Sequence, residues 1–130
     1  MSEAARGRRT ILVVEDDPDI AESLCDVLQG EGFEVATAFN GREGLDRLRE
    51  IGRPCLILLD VMMPVMSGGE FLAALRQDHA FASVPVVIVS AWTNESAQLR
   101  AESQGFVKKP ISIDALLEAT HALCAPEVAG

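Results

Sequence analysis

The chain has 130 residues, a length that suffices for one domain with a buried core. Of these residues, 48% are hydrophobic and 24% are charged. Its formal net charge of −9 argues against a nucleic-acid-binding protein, which needs a basic surface. No apolar run is long enough for a membrane span, and the stretch from Met1 to Arg9 lacks the apolar segment of a secretory signal.

Short runs rich in β-branched and aliphatic residues alternate with amphipathic stretches along the chain. Runs of this length, bounded by turn-forming residues, predict buried strands. The five predicted strands are, in chain order, Ile11 to Val14, Phe33 to Ala38, Cys55 to Leu59, Val86 to Val89, and a short one that begins with Phe106 and Val107.

The stretches between these strands are predicted to be helices. Asp17 caps the first, which has Pro18 at its first position. The stretch from Thr93 to Gln104 offers little bulk to bury, with Ala97 and Ala101 on its apolar face. The other helices are predicted to begin at capping boxes or polar caps near Asn40, Ser67 and Ser112. The last helix places on one side Ile113, Leu116, Leu117, Thr120, Leu123 and Cys124.

This alternation predicts an α/β fold, with a parallel sheet and helices on both of its faces. Because the crossovers in such sheets are right-handed, every strand presents its carboxyl end at the same edge, where ligands bind. The domain is expected to span residues 10–124, between a disordered N-terminal arm at residues 1–9 and a frayed tail at residues 125–130.

Polar side chains directly follow four of the predicted strands. Glu15 and Asp16 follow the first, Asp60 the third, Ser90 ends the fourth and Lys109 follows the short fifth. Two carboxylates about 4 Å apart repel by roughly 1 kcal/mol in water, and by several times that near a protein surface, so this edge needs a counter-charge. A hard cation that takes oxygen ligands, Mg²⁺ or Mn²⁺, meets that need, and the lack of His and Cys at these strand ends argues against zinc.

These groups suit the transfer of a phosphoryl group to a carboxylate. Asp60 in such a site can attack a phosphoryl group and form an acyl phosphate. Lys109 would supply a second positive charge, and Ser90 would hydrogen-bond a phosphoryl oxygen.

The sequence resembles the receiver domain of bacterial two-component response regulators over about residues 10–124. The motifs that carry the resemblance are Val14-Glu15-Asp16-Asp17-Pro18, Asp60-Val61-Met62-Met63-Pro64, Ser90-Ala91 and Lys109-Pro110. The resemblance implies a (βα)5 flavodoxin-like fold, with a doubly wound, five-stranded parallel sheet in the strand order 2-1-3-4-5.

The resemblance also implies which residues take part in phosphorylation. Asp60 would accept a phosphoryl group from the phosphohistidine of a sensor kinase or of a phosphotransfer protein. Glu15 and Asp16 would form the acidic pair for Mg²⁺, with Asp16 as the direct ligand. Met62 would contribute its backbone carbonyl to the metal.

A second implied set would report the phosphorylation. Lys109 would contact the phosphoryl group and precede a cis peptide bond to Pro110. Ser90 and Phe106 would form the switch pair, in which the ring turns inward as the hydroxyl moves to the phosphoryl group.

Departures from the family pattern bear on the metal and on the lifetime of the phosphate. Glu15 stands where Asp is commonest, and its longer side chain still reaches a metal or a metal-bound water. Met62 and Trp92 occupy positions that often place or exclude the hydrolytic water, and both are largely apolar. We therefore hypothesise slow self-dephosphorylation.

The implied function is a signalling switch, which is not an enzyme except that it catalyses its own phosphotransfer and slow dephosphorylation. No output domain is expected after the last helix, so the switch would bind an unknown partner protein through its fourth helix, fifth strand and fifth helix, or serve as a phosphorelay intermediate. It would be a monomer or a phosphorylation-dependent dimer, without a nucleic-acid or membrane partner. The alternative is a receiver-fold interaction scaffold that is never phosphorylated. A phosphohydrolase of the haloacid-dehalogenase type is disfavoured, since it needs a second Asp where Met62 stands.

The three cysteines, Cys25, Cys55 and Cys124, form no closely spaced pair. An odd number without metal-ligand spacing predicts reduced thiols in a cytoplasmic protein, and argues against a disulfide framework or a zinc site.

Overall fold

A computed structural model of the chain describes residues 10–61, 63, 65–91 and 93–124. Within these ranges five strands alternate with five helices. The strands are β1 (Thr10–Val14), β2 (Glu34–Ala38), β3 (Leu56–Leu59), β4 (Val86–Ser90) and β5 (Gly105–Lys108). The helices are α1 (Pro18–Gly30), α2 (Gly41–Ile51), α3 (Gly68–Gln77), α4 (Asn94–Arg100) and α5 (Ile113–Leu123). Among the described residues, no helix combines the length and the hydrophobicity that crossing a membrane requires.

The strands form one parallel sheet in the order β2-β1-β3-β4-β5. The predicted doubly wound, flavodoxin-like topology is therefore confirmed. The chain leaves β1 towards β2 on one side and returns to β3 on the other, so the direction of winding reverses beside β1. In open α/β sheets this reversal opens a crevice at the carboxyl ends of the strands.

Alternate strand side chains fill two cores, one on each face of the sheet. Leu12 and Val14 lie in the core shared with α2, α3 and α4. Ile11 and Val13 lie in the core shared with α1 and α5. Because both faces are covered, β1, β3 and β4 are buried at consecutive positions and consist mostly of apolar residues. Full burial of each large aliphatic side chain contributes roughly 1.5–3 kcal/mol.

Side-chain caps fix where the helices begin beside the crevice. Asp17 Oδ1 accepts a hydrogen bond from the backbone amide of Asp19 at 2.9 Å, at the start of α1. Ser67 and Glu70 each accept a hydrogen bond from the other's backbone amide at the start of α3, as predicted. These caps satisfy amides that the first helical turn leaves without intrahelical partners.

Helix α4 is shorter than the predicted helix, which extended to Gln104. Among its described side chains Ser96 and Leu99 are buried, whereas Ala97 is only partly buried and Ala101 lies beyond the end of the helix and is exposed. The hydroxyl of Ser96 donates a hydrogen bond to the loop that precedes the helix, which allows a polar residue to be fully buried. A prediction from apolar spacing alone misses such a position.

Helix α5 and its C-cap bury Leu116, Thr120 and Cys124 as predicted, but Ile113 is 47% exposed. Cys124 is paired in a disulfide with Cys55, and the third cysteine is free. The prediction that all the thiols are reduced is therefore wrong for this pair. The two cysteines are 69 residues apart in sequence, so their spacing gave no sign that the fold brings them together.

Candidate functional site

Backbone hydrogen bonds continue past the strand ends and fix the residues that follow them. The Glu15 amide donates to the Ala38 carbonyl at 2.9 Å, which extends the pairing of β1 with β2. The Asp60 amide donates to the Val14 carbonyl at 2.9 Å, which extends the pairing of β3 with β1. The polar side chains are thus attached to a rigid backbone at the carboxyl edge.

Lys109 is fixed to the same edge through β4. Its backbone amide donates to the Ser90 carbonyl at 3.0 Å, one residue beyond the register pair of Ser90 and Lys108. The peptide bond between Lys109 and Pro110 is cis, as the family resemblance implied. The five predicted strand-end residues therefore come together around one crevice of about 280 Å³, lined by Glu15, Asp16, Asp17, Ile20, Asp60, Ser90, Ala91 and Lys109.

Three carboxylates form the acidic part of this crevice. One oxygen from each of Glu15, Asp16 and Asp60 lies within 4.8 Å of the other two. Glu15 and Asp60 are 2% and 4% exposed, whereas Asp16 is exposed at the rim. The cluster thus has two carboxylates inside the crevice and one that is accessible from solvent.

Lys109 supplies a positive charge to the two buried carboxylates. Its Nζ lies 3.1 Å from Glu15 Oε1 and 3.6 Å from Asp60 Oδ2. The other oxygen of Glu15 accepts a hydrogen bond from the Asp17 amide at 3.2 Å. One ammonium and one backbone amide therefore offset part of the repulsion between the buried acids.

The pKa values in this cluster reflect burial and the neighbouring charges. Desolvation, followed by the charge of Asp60, raises the pKa of Glu15 to about 7, although Lys109 and the Asp17 amide act in the opposite direction. Desolvation lowers the pKa of Lys109, but the hydrogen bond with Glu15 and the charges of Asp60 and Glu15 outweigh it, so the net shift is upward. The ammonium is therefore charged at neutral pH, and Glu15 exchanges its proton near neutrality.

The donor set fits a hard divalent cation. All three clustered side chains offer carboxylate oxygens, which Mg²⁺ prefers, and the exposed Asp16 leaves room for water ligands. The pKa of Glu15 is raised by burial first and by the charge of Asp60 second, and Lys109 does not offset both. Glu15, Asp16 and Asp60 are the described residues that would hold such an ion.

Ser90 is 2% exposed at the end of β4, and the loop after it is held by Ser96. The hydroxyl of Ser96 donates to the Ala91 carbonyl at 2.9 Å and accepts from the Thr93 amide at 2.8 Å. The sequence pattern did not point to Ser96 as a structural anchor. The spacing of Thr93 and Ser96, three residues apart, is the signal that would have identified it as a capping pair.

Phe106 lies in β5, which β4 separates from β3 and Asp60, and is partly buried against the core beneath α4. The guanidinium carbon of Arg100, the last residue of α4, lies 5.9 Å from the centre of the Phe106 ring. This distance is within the range of a cation–π contact. Arg100, which the sequence did not single out, therefore contacts the predicted switch aromatic from the exposed surface.

Two positions after Asp60, Val65 in the loop and Gly68 at the start of α3, restrict which residue fits there. Val65 has φ of 68° and is 80% exposed, although this left-handed region disfavours β-branched residues. A Cβ on Gly68 would lie 2.6 Å from the Asp60 carbonyl oxygen and 2.7 Å from the Val61 Cα, so only glycine fits there. The start of α3 is thus packed directly on the backbone of Asp60.

Three positions named in the sequence analysis, Met62, Pro64 and Trp92, lie outside the described residues. The metal role of the Met62 carbonyl and the effect of Met62 and Trp92 on phosphate lifetime stay predictions. The predicted N-terminal arm and C-terminal tail likewise lie outside the described residues.

A second, largely apolar cavity of about 610 Å³ adjoins the acidic crevice. The two cavities share Ile20 and Lys109. The residues that line the apolar cavity are Asp19, Ile20, Ser23, Leu24, Lys109, Pro110, Ile111 and Ile113.

The sequence matches the family model of the response regulator receiver domain over residues 11–121. It is 39% identical over 118 residues to the DNA-binding response regulator MtrA of Mycolicibacterium smegmatis, a match that covers 88% of this chain and 50% of that protein. It is 32% identical over 113 residues to the polar-differentiation response regulator DivK of Brucella anthropi, covering 85% of this chain and 91% of that protein. The chain thus spans about half the length of relatives such as MtrA and nearly all of DivK.

Solved structures with the same fold include the chemotaxis protein CheY4 of Vibrio cholerae. That structure has a TM-score of 0.80 at 32% identity and covers 88% of this chain and 97% of its own. The response regulator TrrA of Thermotoga maritima, solved in complex with Mg²⁺ and BeF, has a TM-score of 0.79 at 33% identity, covering 88% and 98% respectively.

Proposed function

The chain belongs to the response regulator receiver domains of two-component signalling, and from this premise we propose that it is a phosphorylation-controlled switch whose phosphoacceptor is Asp60. The phosphoryl donor in this proposal is the phosphohistidine of a sensor kinase or of a phosphotransfer protein. The observation that carries the proposal is the position of Asp60, in a cluster of three carboxylates with Lys109 Nζ 3.6 Å from Asp60 Oδ2.

The chemistry of the crevice follows from this arrangement. A carboxylate oxygen of Asp60 attacks phosphorus as the phosphorus–nitrogen bond of the donor breaks, and the leaving imidazole nitrogen keeps the electron pair and takes up a proton. Lys109 lies close enough to Asp60 to stabilise the negative charge of the phosphoryl oxygens after transfer. Mg²⁺ bound by the acidic cluster would neutralise further phosphoryl charge and align the donor with the acceptor.

Ser90 and Phe106 are the proposed reporters of phosphorylation. Ser90 ends β4 at the same edge as Asp60, and Phe106 is paired with Ile88 in the neighbouring strand. Movement of the Ser90 hydroxyl towards the phosphoryl group would free space into which the Phe106 ring turns. The change would be presented on the surface of α4, β5 and α5, where an output protein binds.

Signalling through a separate partner protein is the form of output that we propose. The likeness to DivK, which is covered over 91% of its length, supports this form, whereas MtrA is named as a DNA-binding regulator and is only half covered. The next experiment distinguishes this phosphorylated switch from a receiver-fold scaffold that is never phosphorylated.

Acetyl phosphate labelling tests the proposed phosphoacceptor. The protein is incubated with acetyl phosphate and Mg²⁺, and intact mass spectrometry follows the addition of one phosphoryl group. We expect labelling that stops on chelation of Mg²⁺ and in Asp60→Asn, but that persists in Asp46→Asn, a matched change at an exposed residue of α2. Labelling of Asp60→Asn at the parent level would contradict the assignment, and a folded parent without labelling would favour the scaffold.

The tryptophan offers a second readout of the same proposal. Trp92 is the only tryptophan in the chain, two residues after Ser90. Its fluorescence should respond to Mg²⁺ and to beryllofluoride, a phosphoryl mimic. The lifetime hypothesis is tested alongside, because Met62→Asn should lose its phosphoryl group faster than the parent, and an unchanged rate would count against it.

A further inference from the structure

Cys55 and Cys124 are joined at the end of the sheet opposite to the acidic crevice. Cys55 directly precedes β3, whose other end leads to Asp60, and Cys124 is the C-cap of α5. Their Cα atoms are 5.6 Å apart, inside the usual range of about 4.4–6.8 Å for a disulfide. The bond therefore links a central strand to the last helix without involving the phosphorylation site.

The backbone holds both cysteines in place for this bond. The Cys55 amide donates to the Thr10 carbonyl of β1 at 2.9 Å. The Cys124 amide donates to the Thr120 carbonyl of α5 at 2.7 Å. Because elements that pack in the same core fix both residues, we expect the two cysteines to stay close when the bond is open.

The two cysteines differ in their exposure to solvent. Cys124 is 5% exposed, whereas Cys55 is only partly buried at the edge of the same core. Thiol–disulfide exchange needs one sulfur that a small molecule reaches and a second that resolves the intermediate. Cys55 is placed for the first role and Cys124 for the second.

We propose that Cys55 and Cys124 are a reversible thiol–disulfide pair that fastens the end of α5 to the start of β3. The oxidant is a low-molecular-weight disulfide such as oxidised glutathione. The Cys55 thiolate attacks one sulfur of that disulfide, forms a mixed disulfide and releases one small thiolate, which takes up the proton. The Cys124 thiolate then attacks the Cys55 sulfur and releases the second small thiol. The protein loses two protons and two electrons, and one small disulfide becomes two thiols.

Formation of the disulfide would change how firmly α5 is held. This helix is otherwise held to the rest of the molecule by Leu116 in the core and by contacts such as His121 Nε2, which lies 3.2 Å from Glu31 Oε1 at the surface. The disulfide adds a covalent tie at the last turn, so its formation restricts fraying of that end. The thiol–disulfide balance around the protein thus sets how firmly one element of the proposed output surface is docked.

Redox titration tests the reversibility. The folded protein is equilibrated with glutathione buffers of increasing oxidised fraction, then unfolded in excess N-ethylmaleimide so that buried thiols also react, and analysed by intact mass and peptide mapping. We expect a change from three alkylated cysteines to one, with a Cys55–Cys124 cross-linked peptide, and from two to none in Cys25→Ser. Alkylation of Cys55 and Cys124 in the most oxidising buffer, or a bond that reduced glutathione does not open in the folded protein, would overturn the proposal.

Thermal unfolding and hydrogen exchange test the consequence for α5. Oxidation should raise the Tm on the order of 10 °C in the parent and in Cys25→Ser, and slow amide exchange in the last turn of α5. Cys124→Ser should show neither response. Equal Tm and equal α5 exchange in the oxidised and reduced parent would overturn the proposed fastening. Acetyl phosphate labelling of both forms keeps this result separate from the proposed function, because loss of labelling in both would count only against the latter.

Discussion

Lys109 and Glu15 form an ion pair inside the acidic crevice, with Nζ 3.1 Å from Oε1, and the Glu15 side chain is only 2% exposed. The longer side chain of Glu15 allows it to reach the lysine with one oxygen and the Asp17 amide with the other. Asp60 shares the same ammonium at 3.6 Å. One lysine therefore neutralises part of the charge of two buried carboxylates. The net charge of the crevice depends on whether Glu15 is protonated.

Raising the pH is expected to destabilise the metal-free protein through Glu15. Because burial and the charge of Asp60 raise the pKa of Glu15 from its ordinary value of 4.5 to about 7, the folded protein keeps a proton there that the unfolded chain releases. The stabilisation is therefore fully present below the unfolded pKa and is lost as the pH rises through the folded value. Linkage puts the loss on the order of 1–3 kcal/mol.

Glu15→Gln isolates this effect, because glutamine stays neutral at every pH. Urea unfolding without divalent cations, from about pH 5 to about pH 8, gives the free energy of unfolding of both proteins. We expect the parent to lose stability relative to the variant as the pH rises. A difference that stays constant across that range would show that Glu15 is already ionised in the folded state.

The strand ends were predictable from sequence because the rules that place them are local. Buried strands of a parallel sheet read as apolar runs, so the residues after Val14 and Leu59 were identified without coordinates. Right-handed crossovers then bring those ends to one edge. The caps at Asp17 and Ser67 followed from residue type and spacing in the same way.

What the sequence did not reveal depends on contacts between distant segments. The Cys55–Cys124 pair joins β3 to α5, and no spacing rule predicts which cysteines meet. Ser96 is buried because its hydroxyl bonds a nearby loop, whereas apolar patterning assigns serine to the surface. The left-handed backbone at Val65 is set by the loop as a whole, since valine itself disfavours it.

Gly68→Ala is expected to disturb the phosphoacceptor, because the new Cβ would meet the backbone of Asp60 and Val61 at 2.6 and 2.7 Å. Backbone atoms cannot turn aside as a side chain does, so α3 or the Asp60 segment must shift. We expect a loss of about 1–3 kcal/mol of stability and slower acetyl phosphate labelling.

Gly69→Ala is the matched control, because its Cβ would have Leu99 at 3.8 Å as its nearest neighbour, an ordinary contact. Alanine also favours a helix over glycine by up to about 1 kcal/mol, so this variant should be as stable as the parent or more so. The free energy of unfolding in urea and the rate of acetyl phosphate labelling are compared between the two variants. Equal behaviour of the two variants would show that Gly68 is not needed for close packing.

Val65→Asn is expected to stabilise the protein. Valine at φ of 68° carries backbone strain of about 1–2 kcal/mol, which asparagine tolerates more easily. The side chain is 80% exposed, so its replacement gives up little buried apolar area. We expect a gain of about 1 kcal/mol in urea unfolding. Val65→Thr keeps the β-branch and should show no gain, and an equal gain in both variants would point to the more polar exposed side chain and not to backbone strain.

Arg100→Gln is expected to release the aromatic ring of the proposed switch. The Arg100 guanidinium lies 5.9 Å from the Phe106 ring centre and approaches from the exposed surface, so the contact favours the ring position of the unphosphorylated protein over the inward one of the proposed switch. A cation–π contact at an exposed site contributes about 0.5–1 kcal/mol, which corresponds to a population shift of about two- to fivefold. Since the inward ring accompanies phosphorylation in the proposed switch, the variant should bind beryllofluoride about two- to fivefold more tightly in a fluorescence titration.

Arg49→Gln, a matched change at an exposed residue of α2, should leave the affinity unchanged. Tighter binding by both variants would indicate an effect of net charge, and unchanged binding by both would show that Arg100 does not restrain Phe106.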